Sequence, residues 1–146
     1  MKKLGNPDYD RFTDENLIGQ RNSLVDVISQ ESDKVSALED DAKRLRDAES
    51  SIQKIIENMQ ETNSKVKDLE VDLTKWKGTE KGKFEKEKST FRNGMKSYEN
   101  ATTGILVQIE TKIMEIETDI TRINSQITKF QTQLSNVRSE LNARGV

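Results

Sequence analysis

From Leu17 onward, apolar residues recur every seven positions: Leu17, Leu24, Leu38, Leu45, Ile52, Met59, Val66 and Leu73, with Glu31 the one polar member of the series. A companion series holds Ile28, Val35, Ala42 and Ile56, and fails at Glu49, Asn63 and Glu70. Two interleaved series of this kind draw one narrow apolar stripe along a helix, the seam of a coiled coil. The pattern predicts a helix over 14–74, on the order of 90 Å long at about 1.5 Å per residue. Towards its end, Ile55 and Leu69 carry the stripe sideways.

The pattern breaks at Leu73-Thr74-Lys75-Trp76-Lys77-Gly78-Thr79. Gly78, with Gly82 close behind, offers the φ freedom a turn needs. Thr79 and Glu80 can cap and charge the start of the next helix. The expected fold class is therefore all-α: a long antiparallel two-helix hairpin, coiled-coil-like, with its turn at about 74–80. An irregular segment, 1–13, precedes a single helical-hairpin domain, 14–146, made of helix 14–74, turn 75–79 and helix 80–143. The lone tryptophan, Trp76, stands at the corner.

The returning arm has two parts. Phe84, Phe91, Tyr98 and Ile105 are spaced by seven, so aromatic rings are expected to line the first turns and fill the space where the helices splay. Gly94 and Gly104 weaken this half and leave room for another backbone. Beyond it the 3-4 spacing is strict: Ile109, Ile113, Ile116, Ile120, Ile123, Ile127, Phe130, Leu134, Val137 and Leu141. Isoleucine at both seam positions favours three or four packed helices over two. The flanks are neutral, with Thr118, Thr121, Ser125, Thr128 and Thr132 among them. This half is therefore expected to be covered by more than its hairpin mate. The candidate protein-binding residues are Trp76, Gly78, Phe84 and Phe91 near the corner, and Ile113, Ile116, Ile120, Ile123 and Ile127 along the seam.

Composition agrees with long helices: 32% of residues are hydrophobic and 34% charged, too thin an apolar supply for a compact globule. Histidine and cysteine are absent, which removes the imidazole base, the thiolate nucleophile and the usual zinc and haem ligands. No catalytic constellation stands out, so no enzyme and no cofactor is expected. The acidic residues read as solvated helix faces rather than a carboxylate metal site. Without cysteine there is no disulfide, and the redox compartment is undetermined.

Charge is unevenly spread. Lys75 to Lys96 holds eight basic residues against three acidic, whereas Asp14 to Thr74 holds fifteen acidic against eight basic. A basic tip could touch nucleic acid or anionic lipid. Interleaved glutamates and aromatics at seam spacing point instead to a solvated tip, with no nucleic-acid partner and no stable membrane insertion. At the start, Met1-Lys2-Lys3-Leu4 leads into Gly5, Asn6, Pro7 and Asp8 rather than an apolar run, so neither a cleavable signal nor a membrane span is expected.

Two arms joined near mid-chain at Trp76-Lys77-Gly78 resemble the WXG superfamily of helical hairpins associated with bacterial type VII secretion. The order Trp76-Lys77-Gly78, Phe84, Phe91, Tyr98 and then an isoleucine-rich tail is similar to the YwqH-like family, small helical proteins encoded beside LXG-domain toxins in Gram-positive bacteria. The resemblance implies a non-enzymatic partner or chaperone for the helical N-terminal region of an LXG-type toxin. It implies a cytoplasmic protein that supports export and leaves open whether it travels with its cargo, takes a second small helical partner, or forms a homo-oligomer. The superfamily's export signal is an aromatic residue with an acid four positions later. No phenylalanine or tyrosine here has one, so with those two residue types as the aromatic member a partner would complete the signal. A structural or tethering coiled coil with no secretion role is the alternative reading of the two arms.

Overall fold

The computed structural model describes residues 7–69 and 78–146. Among them are a short 3-10 turn, Pro7–Tyr9, and two long helices, α1 (Asp14–Lys67) and α2 (Gly78–Ala143). The two pack against each other as a helical hairpin, and no strand occurs among the described residues.

The boundaries follow local chemistry. Before α1, the Asn16 amide donates to Thr13 Oγ1 at 3.1 Å, and the Thr13 amide donates to Asn16 Oδ1 at 3.2 Å. This is a reciprocal capping box with asparagine at its third position, and Asp14 and Glu15 add negative charge to the first turn. α1 closes at Lys67, short of the expected 74. Asp68 lies in a turn, and the Leu69 amide bonds back only three residues, to the Val66 carbonyl. The remainder of the expected helix, and most of the expected turn with Trp76, lie outside the described residues. α2 starts at Gly78, two residues before the expected 80, so Thr79 lies within the helix and does not cap it. Gly78 does not use left-handed φ; among the described residues only Gly145 does, at 76°. There it closes α2 in a Schellman cap: the Gly145 amide donates to the Asn142 carbonyl and the Val146 amide to the Leu141 carbonyl.

The chain divides into two compact units. The first comprises Met1–Ala42 and Glu115–Val146. Leu17, Val137 and Leu141 form one buried cluster, against which Tyr9, Phe12, Ile18 and Leu24 pack. Val35, Ile123 and Ile127 form another, joined by Ile28, Leu38 and Ile120. Lower positions on α1 meet higher positions on α2, the antiparallel order. Each fully buried aliphatic side chain contributes roughly 1.5–3 kcal/mol before chain entropy is counted. Ile113, Ile116, Ile123 and Ile127 of the isoleucine seam are thus buried within the chain itself.

Arg144 fastens the end of this unit. Its Nε donates to Glu140 Oε1 at 2.9 Å and its Nη1 to Asp14 Oδ1 at 3.1 Å. Nη1 also reaches the Phe12 carbonyl, and Nη2 the Tyr9 carbonyl at 2.7 Å. The bonds to Glu140 first and Asp14 second raise the guanidinium pKa above its ordinary value.

The second unit, Lys43–Met114, is joined differently. Met59 and Ile113 are buried, and so is Glu99. Gln60 Nε2 donates to Glu99 Oε1 at 3.0 Å, Arg92 Nε donates to Asn63 Oδ1 at 3.1 Å, and Lys88 Nζ donates to the Leu69 carbonyl at 2.9 Å. These pairs again run antiparallel. On α2 the line turned away from solvent is Lys88, Arg92, Met95, Glu99, Thr102, Leu106 and Ile109, each half-buried or buried. Of the expected line Phe84, Phe91, Tyr98 and Ile105, Phe84 is half-buried and the other three are exposed. The Phe91 and Tyr98 rings do not fill a space between splayed helices, because polar pairs occupy the seam beside them.

Candidate partner-binding surface

The inward line of α2 keeps a 3-4 spacing from Lys88 to Leu141, which fixes what every other face presents. One position behind Arg92, Glu99 and Leu106 stand Phe91, Tyr98 and Ile105, exposed at 47%, 64% and 51%. Beside them run Gly94, Ser97, Ala101 and Gly104, all exposed. A methyl group built on Gly94 or Gly104 would meet nothing within 4 Å. Phe91, Tyr98 and Ile105 therefore form a ridge, and the small residues a furrow along its side.

Charge is scarce here. Between Glu99 and Glu110 no residue is charged, and Val107 joins Ile105 as an exposed aliphatic. The threonines of α2 add little demand for water. Thr102, Thr111, Thr121, Thr128 and Thr132 each donate their hydroxyl to the carbonyl four residues earlier.

The residues singled out from sequence separate into two groups. Ile113, Ile116, Ile123 and Ile127 are buried and Ile120 is half-buried, so these side chains face inward. Phe84 is half-buried, Phe91 exposed, and Gly78 opens α2. Trp76 lies outside the described residues. Tyr98 and Ile105, read from sequence as inward packing, are the exposed residues that the pattern of apolar positions missed. Extending the strict spacing of Ile109 backwards through Thr102, Glu99 and Arg92 would have found them.

The basic stretch is engaged with the hairpin. Besides the bonds of Lys88 and Arg92, Lys96 Nζ lies 3.9 Å from Glu99 Oε1. An open polar cleft lies between them, lined by Asn63, Glu85, Lys88, Arg92 and Lys96. Among the described residues no cluster of three acidic side chains is placed to hold a metal ion, and no helix is long and apolar enough to cross a membrane.

The sequence model of the YwqH-like family matches residues 19–143. The chain belongs to the YwqH-like family. The match spans nearly all of α1 and the whole of α2, so the exposed ridge of this YwqH-like hairpin and its isoleucine seam both lie inside it. Arg144 lies just beyond it. No curated protein and no solved structure matches the chain.

Proposed function

We propose that this YwqH-like chain is a non-enzymatic partner that binds the helical N-terminal region of an LXG-type toxin and supports its export by type VII secretion. Membership of the YwqH-like family and the resemblance at Trp76-Lys77-Gly78 support this choice of partner. The observation that carries the binding mode is the uncharged run 100–109, on which Ile105 and Val107 stand more than half exposed.

A long amphipathic toxin helix, left alone, exposes an apolar stripe that invites aggregation. Laid on a neutral helix face that also exposes apolar groups, both surfaces leave water together, with anchors at helical spacing supplying affinity. The chain makes and breaks no bond; it acts by packing. The pair forms in the cytoplasm, a second small helical protein can join it, and the export signal is completed by a partner. A tethering coiled coil, the competing reading, has no use for an uncovered apolar run beside a seam that is already closed.

Co-expression with the helical N-terminal region of an LXG-type toxin from the same genome tests this. The expected result is a toxin region that becomes soluble and co-elutes with the chain in one peak, and toxin export that falls when the gene is deleted. Separate elution with undiminished export overturns the proposal.

A further inference from the structure

We infer that the partner is an α-helix lying lengthwise on the ridge Phe91, Tyr98 and Ile105 and in the furrow Gly94, Ser97, Ala101 and Gly104. This rests on the proposed binding of a toxin helix and names where it binds. Three observations carry it.

The ridge has no use inside its own hairpin. Arg92, Glu99 and Leu106, one residue on, face the seam, and the ridge residues keep about half or more of their surface in water. Aromatic and aliphatic anchors of this size gain most when a partner desolvates them.

The furrow is also unexplained from within. A glycine inside a helix costs roughly 0.5–1 kcal/mol relative to alanine. At Gly94 and Gly104 no neighbour of the folded chain occupies the room this leaves. Small residues at 94, 97, 101 and 104 let an outside backbone come close.

Spacing and charge identify the occupant. A seven-residue ridge beside a 3-4 furrow interlocks with another helix; a strand, with its period of two, would fall out of step. From Phe91 to Ile105 the strip is about 21 Å long, matching roughly two heptads of a partner. Extending the furrow towards the start of α2 reaches exposed Lys83 and Lys86, set against Glu87. The partner helix is therefore apolar over the strip and acidic where it passes these lysines.

The test titrates the full chain with the recombinant N-terminal helical region of the toxin, following binding calorimetrically. The double variant Gly94→Leu/Ala101→Leu fills the furrow with good helix formers at open positions, so circular dichroism is expected to show an intact hairpin. It should weaken binding by about tenfold or more, as should Tyr98→Lys. Val25→Lys, at an exposed apolar residue elsewhere, should bind like the unaltered chain. Lys83→Glu/Lys86→Glu should weaken binding at low salt, with the loss shrinking as salt rises. If the filled-furrow and Tyr98→Lys variants bind within about twofold of the unaltered chain, the strip is wrong and toxin binding stands. If the unaltered chain does not bind, both fall. If the lysine reversal changes nothing, the acidic end of the partner is wrong.

Discussion

The Arg144 guanidinium donates to the Phe12 carbonyl oxygen at 2.6 Å, joining residues 132 positions apart. With its bonds to Tyr9, Asp14 and Glu140, this side chain gathers the 3-10 turn, the start of α1 and the end of α2. Arg144→Ala should release the N-terminal turn while leaving both helices in place. Amide exchange at Phe12, whose N–H donates to the Tyr9 carbonyl, should accelerate well above that of Val35 or Ile123. Arg144→Lys should not restore protection, since one ammonium cannot present a planar fork of donors to four acceptors. Unchanged exchange at Phe12 in Arg144→Ala would show that packing alone holds the turn.

Ile123 and Ile105 have the same side chain in opposite surroundings. Ile123→Ala empties part of a buried cluster and should lower unfolding free energy by about 2–5 kcal/mol. Ile105→Ala, at a half-exposed site, should stay within about 0.5 kcal/mol. Urea titrations followed by circular dichroism measure both; equal losses would contradict the assignment of inner and outer faces.

The Gln60–Glu99 pair separates the cost of a broken bond from the worth of the intact one. Gln60→Ala deprives a buried carboxylate of a donor and should cost about 1 kcal/mol. Replacing both residues with leucine should be neutral or stabilising, because neither polar group is then left unmatched. A double-mutant cycle reads this directly.

The glycines respond in opposite directions. Gly94→Ala and Gly104→Ala meet open space and should stabilise the chain by about 0.5–1 kcal/mol each. Gly145→Ala forces a side chain into left-handed backbone at φ 76° and should destabilise it by about 1–2 kcal/mol. Thermal melts of the three variants should move accordingly.

These predictions also mark where the sequence could be read and where it could not. From Ile109 to Leu141 the spacing of apolar residues coincides with the residues that are buried or half-buried, because there a hydrophobic side chain fills every seam position. Between Lys88 and Thr102 the seam instead holds Arg92 and Glu99, matched to Asn63 and Gln60. A search guided by hydrophobicity slides one residue sideways onto Phe91 and Tyr98. The same slip concealed the surface, since residues assigned to the interior are the ones in water. Asn63, which interrupts the α1 companion series, was half of the answer: its polar partner sits opposite on α2. The close of α1 at Lys67 was less legible, because Val66 still keeps the heptad spacing one residue before it.

A ladder built of isoleucine alone is indifferent to being shifted by one heptad, since each side chain would find an equivalent neighbour. Amide and carboxylate rungs are not so forgiving. Displacing α2 by seven residues towards the start of α1 would set Glu99 against Gln53 but Arg92 against Ile56, leaving the guanidinium facing a side chain that cannot accept its hydrogen bond. The Arg92–Asn63 rung thus acts as an alignment key against that slip, which an all-isoleucine ladder would accept.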